Sequence, residues 1–165
     1  LRLPRGARVL DVGTGSGAVA LALADERPDL EVWGADSSPD AVTVARANAR
    51  RLGLEVRIVQ ADLMQLDSGP FDAVLSNLPY VPLGAALAPE ITRYEPPGAL
   101  FAGADGLDLV RRLIAAAASI PLLALEIGSE QAVEVARLMG EGGFGEVEVH
   151  HDLAGLDRVV VGRRA

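Results

Sequence analysis

The stretch Asp11-Val12-Gly13-Thr14-Gly15-Ser16-Gly17 decides the fold. The stretch Arg8–Val12 before it predicts a strand, and Ala18–Glu26 after it predicts a helix. Glycines at a strand-to-helix turn let the backbone bend tightly and approach a ligand closely. The free N–H groups at the start of the following helix point toward the same place. The stretch therefore predicts a nucleotide-like cofactor site in an α/β domain.

Acidic residues follow the next two predicted strands. Asp36 comes directly after the strand Glu31–Ala35, 19 residues beyond the last glycine of the turn (36 − 17), and an acid there can accept both ribose hydroxyls of a nucleoside. Asp62 and Leu63 follow the strand Glu55–Gln60 at the same sheet edge. The carboxylate could accept from an adenine amino group while the Leu63 N–H donates to the ring. A turn or helix-capping aspartate is an equally good interpretation of Asp62.

Two classes of cofactor fit the glycine turn equally well. Gly13, Gly15 and Ala18 match the dinucleotide pattern G-x-G-x-x-G/A, whereas three alternating glycines match the G-x-G-x-G pattern of methyltransferases. A tight turn without a ligand is a third interpretation, which the acid after the second strand disfavours. The turn residues predicted to bind the cofactor are Asp11, Gly13, Thr14, Gly15 and Gly17.

The tetrapeptide Asn77-Leu78-Pro79-Tyr80 follows the fourth predicted strand and favours methyl transfer over hydride transfer. An amide nitrogen is a poor nucleophile, so fixed acceptors that hold its hydrogens and aim it are better suited than a general base. The Asn77 side-chain oxygen and the Leu78 carbonyl can be these acceptors. Pro79 restricts Leu78 to an extended conformation, and Tyr80 offers an aromatic face to a planar group or a cation. We therefore predict all four as catalytic residues, with Asn77 also touching the cofactor; a strand-ending turn is the alternative.

The remaining pattern alternates strands and helices, which predicts a mainly parallel sheet of seven strands with helices on both faces. Ser38 is the predicted N-cap of a helix that has Pro39 in its first turn and ends at Gly53. Only Asp152–Asp157 joins the last two strands, so they should form an antiparallel hairpin. The other predicted elements are the strands Phe71–Ser76, Pro121–Ile127, Glu146–His151 and Arg158–Arg163 and the helices Leu107–Ser119 and Glu130–Gly140.

The composition is that of one folded domain, residues 1–165, with half of its residues apolar. The absence of cysteine excludes disulfides, thiolate metal sites and a cysteine nucleophile, and no other cluster has metal-ligand spacing. A net charge of −8 disfavours direct nucleic-acid binding. No apolar run reaches the roughly 18 residues of a membrane span, and the start of the chain is not a signal peptide. We therefore expect a soluble, cytoplasmic protein without a membrane partner.

These residues resemble the HemK/PrmC family, the glutamine methyltransferases that modify peptide-chain release factors. Beyond the glycine turn and the tetrapeptide, the resemblance includes Tyr94-Glu95-Pro96, Gly106-Leu107-Asp108, Leu125–Gly128 and Asp152–Arg158. It implies a Rossmann-like class I methyltransferase fold, with S-adenosylmethionine as cofactor and S-adenosylhomocysteine as product. It also implies N5-methylation of the glutamine in a release factor's Gly-Gly-Gln motif. The N-terminal helical domain of that family, which helps to bind the factor, is not expected within residues 1–165.

One position departs from this family, which usually reads Asn-Pro-Pro-Tyr where this chain has Leu78. Loss of that proline weakens preorganisation, although the carbonyl needed for the chemistry remains. Asn-Leu-Pro-Tyr also occurs in ribosomal-RNA adenine dimethyltransferases, which makes an N6-adenine methyltransferase the main competing interpretation. The acidic charge and the family-specific segments favour a protein substrate. The glycine turn is also compatible with an NAD-dependent oxidoreductase. A further alternative is a domain that binds cofactor but has lost activity through Leu78 or truncation.

Overall fold

The computed structural model describes residues 3–84 and 102–164 of the chain. Strands and helices alternate along these residues, as the sequence predicts. The strands are β1 Arg8–Val12, β2 Glu31–Asp36, β3 Arg57–Gln60, β4 Ala73–Ser76, β5 Leu122–Glu126, β6 Glu146–His151 and β7 Asp157–Arg163. The helices are α1 Ala18–Glu26, α2 Pro39–Leu52, α3 Asp108–Ala116 and α4 Ala132–Glu141.

The seven described strands form one sheet in the order β3-β2-β1-β4-β5-β7-β6. The first five are parallel, whereas β7 runs antiparallel to both β5 and β6. The predicted fold class, including the terminal antiparallel hairpin, is confirmed. The chain moves outward from β1 in both directions, so the carboxyl ends of β1 and β4 border the crevice where ligands bind in such sheets.

Alternate residues of β1 face opposite sides of the sheet. Leu10 and Val12 join a large apolar cluster with α3 and α4, whereas Val9 packs on the other side with Ala73 of β4. All four are fully buried. Burial of one such aliphatic side chain contributes roughly 1.5–3 kcal/mol. The two packed faces hold the end of β1 in place and thereby fix the position of the glycine turn.

The α2 helix begins after Ser38 and ends at Gly53, as the sequence predicts. The Ser38 hydroxyl accepts a hydrogen bond from the Ala41 N–H at 3.3 Å, and Gly53 ends the helix in the left-handed conformation. Trp33 of β2 is buried and meets the Phe71 ring edge-on at 5.8 Å. Within residues 3–84 and 102–164, no helix is both long and apolar enough to span a membrane.

Several element boundaries differ from the prediction by a few residues. The strands β3 and β4 begin at Arg57 and Ala73, two residues later than predicted, and α3 stops at Ala116. Phe71 is apolar, as a strand residue would be, but it packs against Trp33 before the ladder begins. The predicted family segment Tyr94-Glu95-Pro96 lies outside the described residues.

Candidate cofactor and substrate site

A cavity of about 580 Å³ opens at the carboxyl ends of the parallel strands. Its volume is in the range of small-molecule and cofactor sites, roughly 300–1,000 Å³. Among the residues predicted from the sequence, it is lined by Asp11, Gly13, Thr14, Gly15, Asp36, Asp62, Leu63, Asn77, Leu78 and Pro79. The structure therefore brings the glycine turn and most of the tetrapeptide into one cavity. Gly17 and Tyr80 are the two predicted site residues that do not line it.

Gly13 is the point where the turn meets the tetrapeptide. Its φ is 70°, and its N–H donates to the Ala35 carbonyl at 2.8 Å. A Cβ atom at this position would lie 2.9 Å from Leu78 Cδ2, which is closer than side-chain contacts normally allow. Glycine is therefore favoured here, because another residue would have to adopt a left-handed backbone and displace the tip of the Leu78 side chain. Gly17 instead lies between α1 and α2. A Cβ atom there would lie 3.0 Å from Leu21 and 3.3 Å from Ala45.

Asp11 is almost fully buried, with 2% of its surface exposed, beneath the turn. Its carboxylate accepts hydrogen bonds from the Thr14 hydroxyl at 2.7 Å and from the Ala20 N–H at 3.1 Å. Burial raises the pKa of Asp11 from 3.8 to about 6, against the two hydrogen bonds that lower it, and the nearby Asp36 raises it further. Asp11 thus ties the turn to the start of α1.

Asp36, at the end of β2, is also held by backbone donors. One carboxylate oxygen accepts from the Gly15 N–H and the other from the Ser38 N–H, each at 2.9 Å. A carboxylate has about four acceptor positions, so these two bonds orient the group and leave capacity for further donors. Asp36 lies in the cavity wall and is partly exposed. This arrangement suits a carboxylate that binds the hydroxyls of a ribose.

The loop after β3 carries a backbone outlier. Leu63 has a φ of 52° and is the one non-glycine residue with a positive φ in the described part of the chain. Its side chain is buried at the cavity wall. Such a conformation costs on the order of 1–3 kcal/mol for a non-glycine residue and is found where the surrounding structure imposes it. The loop conformation also places Asp62 and the Leu63 backbone together at the cavity.

Asp62 contacts a cation that sequence reasoning did not connect with the site. Its carboxylate lies 2.6 Å from the guanidinium of Arg112 on α3, and both side chains are about half exposed. The sequence pattern therefore did not identify Arg112 as a neighbour of the site. Leu109, one turn earlier on α3, lines the cavity and was also missed. The apolar spacing Leu109, Val110, Leu113 predicts a packed helix face but does not show which loop it covers.

The tetrapeptide begins where β4 ends. The Ser76 hydroxyl donates to the Val12 carbonyl at 2.7 Å and so ties the end of β4 to the end of β1. Asn77 is exposed at the cavity, Leu78 is 7% exposed and packs over Gly13, and Pro79 is half-buried. The side chain of Leu78, the residue that departs from the family pattern, therefore packs against the glycine turn.

Tyr80 lies outside the cavity lining. It is half-buried, and its carbonyl accepts a hydrogen bond from the Gln131 side chain at 2.9 Å. Sequence reasoning missed Gln131. The signal that could have drawn attention to it is its position three residues after Gly128, which is the last residue of the stretch Leu125–Gly128 already included in the family resemblance.

The sheet order, the terminal antiparallel hairpin and a glycine turn opposite an Asn-x-Pro-Tyr segment define a Rossmann-like class I methyltransferase domain. The model of the family described as "Methyltransferase domain" matches residues 9–98. This chain belongs to that methyltransferase-domain family.

Curated relatives carry a more specific name. The release factor glutamine methyltransferase of Rhodospirillum rubrum is 46% identical over 170 residues, which cover 96% of this chain and 51% of that protein. The enzyme of the same name from Gloeobacter violaceus is 45% identical over 166 residues, which cover 94% of this chain and 58% of that protein. These matches confirm the predicted resemblance. The chain spans about half the length of the curated relatives it matches.

A solved structure supports the fold assignment. The magnesium protoporphyrin IX methyltransferase from Synechocystis, solved with bound S-adenosylmethionine, superposes with a TM-score of 0.64 at 19% identity. The match covers 98% of this chain and 71% of that one. At 19% identity, this similarity shows a shared fold and nothing more specific.

Proposed function

We propose that residues 1–165 form a domain that transfers the methyl group of S-adenosylmethionine to the side-chain amide nitrogen of a glutamine in a protein. The proposed substrate is the Gly-Gly-Gln motif of a peptide-chain release factor. The observation that carries the proposal is the contact between Gly13 and Leu78, through which the glycine turn and the tetrapeptide share one cavity. The name of the curated relatives supports the choice of a glutamine substrate.

The residues of the cavity fit this cofactor. Asp36, already oriented by two backbone donors, would hold the ribose hydroxyls. Asp62 and the Leu63 N–H would bind the edge of the adenine ring, while the close-packed backbone at Gly13 and Gly15 would accommodate the amino-acid portion. The cofactor supplies a methyl group on a positively charged sulfur. The carboxylates of Asp11 and Asp36 near the turn complement that charge.

The substrate amide would enter beside Asn77. The Asn77 side-chain oxygen and the Leu78 carbonyl would each accept one hydrogen of the glutamine NH₂ group, which fixes the direction of the nitrogen lone pair. Donors and acceptors fixed in advance by the fold lower the barrier without reorganisation. Ser76 contributes by tying the strand that carries Asn77 to β1. After transfer, the nitrogen keeps one hydrogen and the other leaves as a proton to solvent.

The mechanism can be tested with Asn77→Ala. We expect methyl transfer from labelled S-adenosylmethionine to a release factor to fall by about 10²–10³-fold, the usual effect of losing one such group. Cofactor affinity measured by calorimetry should stay within about threefold, because the turn, Asp36 and Asp62 remain. Val133→Ala, an exposed position on α4, is the control. Unchanged transfer in Asn77→Ala would remove the proposed role of Asn77.

A second candidate function is N6-methylation of adenine in ribosomal RNA. The observation that favours it is Leu78, since Asn-Leu-Pro-Tyr fits that class and an adenine amino group is also a planar NH₂ donor. The net charge of −8 opposes it. A methylation assay that offers the release factor and ribosomal RNA together separates the two functions. Incorporation into RNA alone would overturn the protein-substrate proposal.

A further inference from the structure

We propose that Gln131 is a positioning residue for the tetrapeptide. Its side-chain amide holds the backbone of Tyr80 and so fixes the segment that carries Asn77 and the Leu78 carbonyl. The kinetic part of this inference rests on the proposed function. The structural part, that Gln131 immobilises Tyr80, stands independently of which substrate is methylated.

The amide of Gln131 joins three separate segments of the chain. Its Nε2 donates to the Tyr80 carbonyl at 2.9 Å and to the Asp105 carbonyl at 3.2 Å. Its Oε1 accepts from the Gly128 N–H at 2.9 Å. One side chain therefore links the end of the tetrapeptide, the turn before α3 and the loop after β5.

Two glycines complete the enclosure of Tyr80. A Cβ atom on Gly106, whose φ is 77°, would lie 2.1 Å from the Tyr80 carbonyl oxygen. A Cβ atom on Gly128 would lie 3.5 Å from Tyr80 Cδ2 and 3.1 Å from Gln131 Oε1. The Tyr80 carbonyl thus lies between Gly106 and Gln131, and the ring lies over Gly128. Both glycines lie in stretches that are part of the family resemblance, and both leave room for Tyr80.

Gln131 is itself held in place. Its N–H donates to the Gly128 carbonyl at 2.9 Å, and its carbonyl accepts from the Val135 N–H in the first turn of α4. Ala132 and Val135 are buried in the core, so the start of α4 is anchored. On the other side, the Asp105 side chain accepts from the Leu107 N–H at 3.1 Å. Because the backbone of Gln131 is held at the start of α4, its side chain can hold the carbonyls of Tyr80 and Asp105 in place.

The chemistry at this position requires an amide. A glutamate could still accept from the Gly128 N–H, but it would place a carboxylate oxygen against the carbonyls of Tyr80 and Asp105, which are acceptors themselves. Neither Gln131 nor the two glycines line the cofactor cavity. Loss of the amide should therefore reduce turnover while cofactor binding is retained. A displacement of about 1 Å in a positioned group can lower a rate by about 10²-fold.

The test compares Gln131→Glu and Gln131→Met with Glu130→Gln, an exposed neighbour that serves as the matched control. We expect kcat for methyl transfer to fall by about 10- to 100-fold in both Gln131 variants. The KM for S-adenosylmethionine and its calorimetric Kd should stay within about threefold. The Glu130 variant should behave like the unmodified protein.

A spectroscopic readout keeps the structural claim separate from the activity. The chain has two tyrosines, so fluorotyrosine labelling gives two ¹⁹F signals, and Tyr94→Phe assigns the one from Tyr80. The Tyr80 signal should shift or broaden in Gln131→Glu and Gln131→Met but not in Glu130→Gln. Should Gln131→Glu fail to fold, Gln131→Met, uncharged and similar in length, carries the test. A folded variant with an unchanged Tyr80 signal and unchanged kcat would overturn the inference. If the unmodified protein transfers no methyl group, the proposed function fails, whereas the ¹⁹F comparison still decides the positioning role.

Discussion

The carboxylate of Asp62 and the guanidinium of Arg112 lie 2.6 Å apart and join the loop after β3 to α3 beside the cofactor cavity. Both groups are about half exposed, so the pair itself should contribute no more than about 1 kcal/mol to stability. Its importance lies in the orientation of Asp62, which we place at the edge of the adenine ring. We therefore expect substitution of Asp62 to change the free energy of unfolding little but to weaken cofactor binding.

We predict that Asp62→Ala weakens binding of S-adenosylhomocysteine by about tenfold, because a hydrogen bond to a charged acceptor is lost. Arg112→Ala should weaken it by less than about threefold, since the carboxylate remains and only its orientation is relaxed. Isothermal titration calorimetry of the two single variants and the double variant measures both effects. An Arg112→Ala variant that loses as much affinity as Asp62→Ala would mean that Arg112 binds the cofactor itself.

The second prediction concerns Asp36. Its two carboxylate oxygens accept from the N–H groups of Gly15 and Ser38, so Asp36→Ala removes one anchor of the glycine turn, one anchor of the start of α2 and the proposed ribose acceptor. We expect cofactor affinity to fall by about 10- to 100-fold. Asp40→Asn, which removes an exposed acid four residues away, is the control and should leave affinity unchanged. Equal affinities for both variants would contradict the assignment of Asp36.

The third prediction is a pH dependence of stability that arises from Asp11. Because burial raises the pKa of Asp11 from 3.8 to about 6 in the folded protein, folding favours the protonated form. The stability due to this group is fully present below about pH 4 and is lost as the pH rises through about 6. The loss is on the order of 3 kcal/mol at neutral pH.

Asp11→Asn is the variant that isolates this effect. The asparagine oxygen can still accept from Thr14 and Ala20 but does not ionise. Denaturant unfolding measured between pH 4 and pH 8 should show the wild-type stability decreasing relative to Asp11→Asn over this interval. Parallel stability curves for the two proteins would show that the carboxyl does not titrate differently on folding.

The fourth prediction concerns the residue that departs from the family pattern. Leu78→Pro removes a buried side chain that packs over Gly13, so we expect a loss of about 1–2 kcal/mol of unfolding free energy. The Leu78 carbonyl is retained, and a proline before Pro79 restricts the backbone further. Methyl transfer should therefore be kept or increased. Abolished transfer in a folded Leu78→Pro protein would indicate that the leucine side chain, and not its carbonyl, is required.

Short-range patterns were sufficient to predict most of the fold. The glycine turn, the N-cap at Ser38 and the left-handed glycine at 53 depend on residues within a few positions of one another, and each lies where the sequence predicts. The antiparallel hairpin likewise follows from a connection too short for a crossover. The beginnings of β3 and β4 were placed too early, because an apolar residue such as Phe71 looks the same in a strand and in the core beside it.

The parts of the site that could not be predicted depend on contacts between distant residues. Arg112 is 50 residues from Asp62, and Gln131 is 51 residues from Tyr80. Nothing in the local sequence of either partner specifies the other, because the pairing depends on how α3 and α4 pack against the sheet. The cavity residues at the strand ends were predictable because the carboxyl ends of parallel strands meet at one edge. The roles of these residues stay predictions until they are tested by mutation.

The central claim is that one cavity, bounded by Gly13 and Leu78, holds both the methyl donor and the group that receives the methyl. A crystal structure of the protein with S-adenosylhomocysteine tests it most directly. The account predicts the ribose at Asp36 and the sulfur between the glycine turn and the Asn77 side chain, with open space beside Asn77 for an amide. A product bound elsewhere, or one whose sulfur faces away from Asn77, would contradict the account.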